Sequence, residues 1–214
     1  MEGHTAEAVR LVKQGLRSMM NGVAAHSMRQ KGLTYKVNFG VELPRLQAYA
    51  EEIRTREAGA NFYSLALQLW SEPIRECRLL ASMLMPPEEM DEQTAEMWVE
   101  QTIVQEEAEH SVMHLFCRLP FASTLAFRWI AHEDEMHRFY GWLLMGRLFM
   151  QGLEPCQRDA DELLDQLASE LQHTPAPDAH LPLAATAYKA VLKYMELSPT
   201  AQVRGEEFLQ KMNL

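Results

Sequence analysis

The chain has 214 residues, of which 47% are hydrophobic and 23% are charged, so it is too apolar to be disordered and too often interrupted by charge to be a membrane protein. Its net charge of −10 argues against a generic nucleic-acid binder, and no apolar run approaches the ~20 residues of a membrane-spanning helix. The N-terminus lacks a secretory signal, and three widely spaced cysteines form neither a disulfide framework nor a CxxC site, so we expect a cytoplasmic protein.

Apolar residues recur at helical spacing almost from end to end of the chain. Residues 5–31 are predicted to form one or two helices that end at Gly32. Further helices are predicted over residues 43–54, 61–70, 74–85, 90–117, 122–131 and 134–150, and the fourth of these could be broken. Residues 173–180 are predicted to form the clearest surface loop. No stretch of strand length alternates between polar and apolar residues, so no sheet is expected.

Short connections between these helices favour antiparallel neighbours. Their pairing suggests a repeating unit of roughly 35–45 residues, which is the period of HEAT-type helical pairs. The predicted architecture is therefore a single all-α domain over residues 1–214, with HEAT-like antiparallel helical repeats that form a curved solenoid. Within it, we expect N-terminal helices over 5–31, repeats over 33–150 and a C-terminal helical pair over 156–213.

Positive charge is concentrated in the first quarter of the chain. Residues 1–56 carry a net charge of +4, whereas residues 57–135 carry −11. The cations could form a local positive patch, or they could be ordinary charges on helix surfaces. If the protein binds DNA, the expected phosphate contacts are Arg10, Lys13, Arg17, Lys31, Lys36 and Arg45.

Residues 35–53 contain a Gly-Val-x-x-Pro-x-Leu core that begins at Gly40. This core resembles the first repeat of the DNA alkylation repair family, which is typified by alkylpurine DNA glycosylases. Residues 65–84 look like its second repeat, because a Leu-Trp pair ends one helix and a Glu-x-Arg-x-Leu-Ala run opens the next. Leu115-Phe116 and the Pro-Phe-Ala run at 120–122 resemble the stretch after the family's active-site helix. The resemblance covers about residues 33–150.

The resemblance implies a HEAT-like fold that holds duplex DNA and a glycosylase site that releases bases alkylated at N3 or N7. Family members meet the positive charge of such lesions with aromatic faces and a carboxylate, and they use an arginine near the DNA backbone. Carried onto this chain, the catalytic carboxylate falls on Glu109. The aromatic position falls on Gln105, the arginine on Phe139 and a second stacking tryptophan near Ala190. A carboxylate alone remains, so we expect a divergent member whose glycosylase activity is lost.

Histidines and carboxylates cluster over residues 106–114 and again over residues 132–137. Glu-x-x-His pairs on two helices are typical of di-iron bundles, and this pattern offers a ferritin-like di-metal protein as an alternative. Its candidate ligands are Glu107, His110, His114, Asp134 and His137. On a helical wheel, however, the first group lies opposite the apolar stripe of Ala108, Val112 and Leu115, which instead predicts an ordinary solvated face.

The sequence therefore favours a divergent DNA alkylation repair protein that binds duplex or damaged DNA without a cofactor. The acidic middle of the chain supports another class, a non-enzymatic helical-repeat module that binds protein. No membrane partner is expected. Trp70, Trp98, Trp129, Trp142 and Cys77 lie on or beside apolar stripes and are predicted to belong to the core.

Overall fold

The structure is a computed structural model. It describes residues 2–57, 59, 61–173 and 181–212, and their side chains from residue 5 onward. Within these residues the protein is helical, and its strand-type pairing is limited to one isolated bridge between Val37 and Ile74. The chain divides into two compact units, Met1–Pro120 and Phe121–Leu214. None of the described helices has the length and hydrophobicity that crossing a membrane requires.

The first unit contains seven α-helices and a short 3-10 helix among its described residues. These are α1 (Glu2–Ser18), α2 (Gly22–Gln30), α3 (Leu43–Arg56), α4 (Phe62–Trp70), α5 (Arg75–Leu84), α6 (Glu92–Glu100), α7 (Gln105–His114) and the 3-10 helix Phe116–Arg118. Helix α5 lies at the centre of the unit, because α3, α4 and α7 all pack on it and its ten residues are all buried. The predicted helix over 90–117 is broken into α6 and α7.

Polar side chains fix where several of these helices begin. Asn21, Asn61 and Asp91 precede α2, α4 and α6, and each accepts a hydrogen bond from the backbone N–H three residues later. Gly40, with φ near 75°, lies against the start of α2 so closely that an added Cβ would be 2.1 Å from the carbonyl oxygen of Asn21. The loop before α3 is thereby held against α2.

The second unit contains five helices among its described residues, α8 (Ala122–Ile130), α9 (Glu135–Met150), α10 (Gln157–Gln172), α11 (Leu183–Met195) and α12 (Pro199–Met212). Helix α9 packs on α8 and α11, and α11 also packs on α10 and α12. The region predicted as a C-terminal pair therefore holds three helices. Of the predicted loop over 173–180, His173 follows α10 directly, and residues 174–180 lie outside the described residues.

The core predictions are confirmed in both units. Trp70, Trp98, Trp129 and Trp142 have exposed fractions of 1% or less, and Cys77 is fully buried. Burial raises the pKa of the Cys77 thiol to about 12, which keeps it protonated and unreactive at neutral pH.

Candidate nucleic-acid interface

A shallow groove on the first unit brings together three of the six cations predicted to contact DNA. Arg10, Lys13 and Arg17 share one face of α1 because they are spaced at i, i+3 and i+7. They line a groove of about 400 Å³ together with Gln68 and Glu72. Three positive charges therefore line the groove beside the carboxylate of Glu72, and Arg10 is also paired with Glu7.

The three cations of the groove differ in how they are paired. Lys13 Nζ lies 2.8 Å from both carboxylate oxygens of Glu72, in a partly buried ion pair. Arg10 donates to Glu7 in an exposed pair on the same helix, and this contact holds the pKa of the Glu7 carboxyl below its usual value. Arg17 is exposed, and no carboxylate among the described residues pairs with it. Of the three groove cations, Arg17 is thus the one most open to a phosphate.

The other three predicted cations lie outside this groove. Lys31 follows α2 and Lys36 lies in the connection to α3, and both are exposed without an acidic partner in the described part of the chain. Arg45 is exposed on α3, pairs with Glu52 at 3.1 Å and contacts the sulfur of Met19. The basic quarter thus presents several accessible cations rather than a single dense patch.

Buried charges join α5 to α7. Arg75 is 1% exposed and donates two hydrogen bonds, of 2.8 and 2.7 Å, to the two oxygens of Glu106. The neighbouring Glu76 accepts the backbone N–H groups of Phe39 and Val41, both at 3.1 Å. Burial disfavours the charge of Arg75, but the bonds to Glu106 outweigh that effect and raise its pKa.

A second buried pair lies one helical turn further along α5. Arg78 Nε lies 2.6 Å from Glu107 Oε1, and Arg78 also donates to the backbone carbonyls of Trp70 and Gln101. Its guanidinium is centred 4.1 Å from the ring of Trp70, which in turn stacks on Trp98 at 4.2 Å. Burial raises the pKa of Glu107, while Arg78 and the N–H of Ile103 oppose that rise.

The prediction that this face of α7 is solvated is wrong. Glu107 is fully buried and His110 is 3% exposed, whereas the outward positions of the helix are Glu109 and Met113. The helical wheel failed because it cannot show that the facing helix α5 carries Arg75 and Arg78. The sequence did carry one signal of this burial. Arg75 and Arg78 lie in the otherwise apolar helix α5, and buried arginines require carboxylate partners.

His110 lies on this buried face, and among the residues that the structure describes neither of its ring nitrogens has a hydrogen-bond partner. Its ring stacks on that of His114 with 4.9 Å between the centroids. Burial and the nearby His114 lower the pKa of His110 to about 4, so its imidazole is neutral at pH 7.

Comparison with known proteins identifies the chain at the level of a family. A family model described as "DNA alkylation repair enzyme" matches residues 12–176. The protein belongs to the DNA alkylation repair enzyme family. The comparison with curated proteins finds no match.

A solved structure also shows that the fold of this family member is that of HEAT-like repeat proteins. It is described as "a new family of proteins related to the HEAT-like repeat DNA glycosylases with affinity for branched DNA structures". The two chains are 16% identical and superpose with a TM-score of 0.77, covering 94% of this chain and 81% of the other. The predicted all-α HEAT-like fold is thereby confirmed.

The positions that the family resemblance assigned to catalysis differ in their exposure to solvent. Glu109 is exposed on α7, and its Oε1 accepts a 2.7 Å hydrogen bond from the amide of Gln105. Phe139 is fully buried in α9 and Ala190 is 2% exposed in α11. The groove that contains Arg10, Lys13 and Arg17 is lined by other residues.

The candidate metal ligands fall into two separate groups. Glu107, His110 and His114 belong to α7 in the first unit, where the carboxylate of Glu107 is taken by Arg78. Asp134 and His137 belong to the second unit, where Asp134 Oδ1 lies 2.7 Å from His137 Nδ1. A HEAT-like fold is also not the four-helix bundle on which the di-iron alternative depends.

Proposed function

We propose that this member of the DNA alkylation repair enzyme family binds DNA through the basic surface of its first unit. The observation that carries the proposal is the groove in which Arg10, Lys13 and Arg17 converge, in a chain whose next quarter is strongly acidic. Phosphate contacts from Lys and Arg supply most of the affinity of non-specific DNA binding. Family membership gives this groove a nucleic acid as its expected partner.

The ion pairs of the groove are compatible with such binding. Exposed pairs such as Arg10–Glu7 contribute little to stability, so a phosphate can replace the carboxylate at small cost. The Lys13–Glu72 pair is more protected and competes more strongly with a phosphate. Arg17 needs no such exchange and is expected to make the first contact.

Branched DNA is the first form to test, because the similar solved structure is described as having affinity for it. We expect fluorescence anisotropy to show binding to a labelled four-way junction, with weaker binding to a duplex of the same sequence. Arg17→Glu and the double variant Lys31→Glu/Lys36→Glu should weaken binding to all sequences. Lys189→Glu, an exposed site on α11, is the matched control. Binding that is equally strong in Arg17→Glu and in the control would remove the groove from the proposal.

Base excision is proposed to be absent. Cleavage of a cationic lesion requires charge stabilisation on both base and sugar, and Gln105 has no aromatic face while Phe139 carries no charge. Two missing contributions of ~3 kcal/mol each would cost roughly ten thousandfold in rate. We expect no release of N3-methyladenine or N7-methylguanine from alkylated duplex above the spontaneous rate. Release by the wild type that Glu109→Gln abolishes would instead make Glu109 the catalytic carboxylate.

A protein-binding helical-repeat module is the second candidate function. The net charge of −11 over residues 57–135 favours it, because an excess of carboxylates repels phosphate and attracts basic protein segments. Absence of junction and duplex binding at 50 mM salt would favour this candidate over the first.

A further inference from the structure

The turn between α8 and α9 carries a second, independent cluster of chemically active side chains. One ligand atom from each of His132, Asp134 and His137 lies within 4.8 Å of the other two. His132 and Asp134 are exposed, whereas His137 is buried. We infer that these three residues bind one divalent transition-metal ion of the zinc type.

The chemistry of the three side chains selects the class of ion. Two imidazole nitrogens and one carboxylate oxygen are ligands that Zn²⁺ and its first-row neighbours prefer, whereas Mg²⁺ and Ca²⁺ require mostly oxygen. Three protein ligands leave a fourth tetrahedral position for water. The site would therefore be open to solvent on its exposed side.

Individual atoms in the cluster remain available for an ion. His132 Nδ1 accepts the backbone N–H of Asp134 at 3.0 Å, so Nε2 is the nitrogen of His132 that can bind metal. Both described hydrogen bonds of the Asp134 carboxylate use Oδ1, which leaves Oδ2 for the ion. His137 Nδ1 lies 2.7 Å from Asp134 Oδ1. To bind a metal ion through Nδ1, the neutral imidazole of His137 would carry its one ring proton on Nε2.

The surrounding structure holds the ligands in place before an ion binds. The ring of His137 meets Trp129 edge to face, with 6.4 Å between the centroids. Arg138 donates to the backbone carbonyls of His132 and Glu133, at 3.3 and 2.6 Å, and is itself anchored at 3.0 Å by the buried Glu170. The turn is thus fixed from the side of α10, and the positive charge of Arg138 is compensated.

A helix cap explains only part of this arrangement. Asp134 accepts the backbone N–H of His137 at 3.0 Å and so caps α9. The cap does not require His132, whose ring centroid lies 4.1 Å from that of His137. Asn caps a helix as well as Asp does but is a much poorer metal ligand. Asp134→Asn therefore separates the two roles.

The test measures metal binding on the untagged full-length chain. After equilibrium dialysis against Zn²⁺, we expect one bound ion per chain by elemental analysis, and Co²⁺ in its place should give visible absorption bands of a tetrahedral site. His132→Ala and Asp134→Asn each remove or weaken one ligand and should each lower the affinity for Zn²⁺ by at least roughly 10–100-fold. His26→Ala, which removes an exposed histidine of α2, is the matched control and should bind as the wild type does.

Each outcome decides the proposal. An unchanged melting temperature of Asp134→Asn together with its loss of Zn²⁺ supports a metal site rather than a cap. Less than one ion per wild-type chain would overturn the proposal. Equal affinity in the wild type, His132→Ala and Asp134→Asn would overturn it as well, because the ion would then be bound elsewhere.

Discussion

At the scale of single residues, the molecule's least expected feature is the charge buried between α5 and α7. Arg78 and Glu107 form a close pair whose members have almost no contact with water. Removing two charges from water is costly, and their mutual attraction with additional hydrogen bonds offsets that cost only when the geometry is good. Arg78 and Glu107 have several such hydrogen bonds, because Arg78 donates to Glu107 Oε2 at 3.0 Å and backbone groups of Trp70, Gln101 and Ile103 bond to the pair as well.

Loss of one member of this pair should be strongly destabilising. Glu107→Gln leaves Arg78 as a buried charge without its counter-ion, so we expect the free energy of unfolding to fall by about 3–5 kcal/mol. Urea unfolding followed by circular dichroism measures the change. The same substitution two residues along the helix, Glu109→Gln, is the control because Glu109 is exposed. Equal stability of the two variants would contradict a buried ion pair at Glu107.

His110 should make stability depend on pH in a defined window. Its pKa is about 4 in the folded protein against 6.5 in an unfolded chain, so between these values the unfolded state binds the extra proton. Stability attributable to His110 is therefore complete above pH 6.5 and falls as the pH drops toward 4, by up to about 1.4 kcal/mol per pH unit.

Unfolding measured across this window should show the effect as a difference between variants. The stability of the wild type relative to His110→Leu should decrease between pH 6.5 and about 4 and then level off. His26→Leu, at an exposed site, should follow the wild type in parallel. A wild-type curve parallel to that of His110→Leu would show that His110 does not have a lowered pKa.

At the scale of elements, close helix packing in the second unit depends on a glycine. A Cβ added to Gly141 of α9 would lie 2.6 Å from the backbone nitrogen of Ile130 and 2.9 Å from the carbonyl carbon of Trp129. Backbone atoms of α8 cannot move aside as a flexible side chain could. Gly146, on the same helix, faces Ala190 with ordinary contact distances of 3.4 and 3.5 Å.

These two glycines allow a matched comparison. Replacement of a helical glycine by alanine favours the helix by up to about 1 kcal/mol, so Gly146→Ala should be neutral or stabilising. Gly141→Ala should lower the free energy of unfolding by about 1–3 kcal/mol, because α8 and α9 must separate to accommodate the methyl group. Thermal unfolding compares the two variants. A stabilised Gly141→Ala would mean that α8 and α9 are further apart than the structure shows.

Helices could be predicted from the sequence because each one buries a stripe of apolar residues. The predicted bounds of α3, α4, α5 and α9 agree with the structure to within two residues at each end. What a stripe cannot reveal is the identity of the facing residue. Glu107 and His110 are buried because Arg75 and Arg78 come from another helix, and three-dimensional neighbours are not encoded in helical spacing.

The candidate groove could be predicted in part. The spacing of Arg10, Lys13 and Arg17 places them on one face of α1. The sequence does not show, however, that Lys13 pairs with Glu72, which lies 59 residues after it in the chain. For the cluster at the turn before α9, Asp134 and His137 were candidates from their i, i+3 spacing. His132 was part of the same motif, but its participation required knowledge of the turn between the two helices.

At the scale of the whole molecule, an acidic protein is proposed to bind an anionic polymer. Its net charge of −10 opposes DNA at long range, so binding must come from local contacts in the basic first quarter. Such contacts release counter-ions from DNA. The logarithm of the binding constant therefore falls linearly with the logarithm of the salt concentration. The number of phosphates contacted sets the slope.

The most direct test of this account is the salt dependence of junction binding, measured for the wild type and Glu72→Gln. Glu72 is the carboxylate that occupies Lys13 in the groove, so its neutralisation frees one cation for phosphate. We predict that Glu72→Gln binds the junction more tightly than the wild type and that its slope is steeper by about 0.9. Identical curves for the two proteins, or no binding by the wild type at 50 mM salt, would contradict DNA binding at this groove.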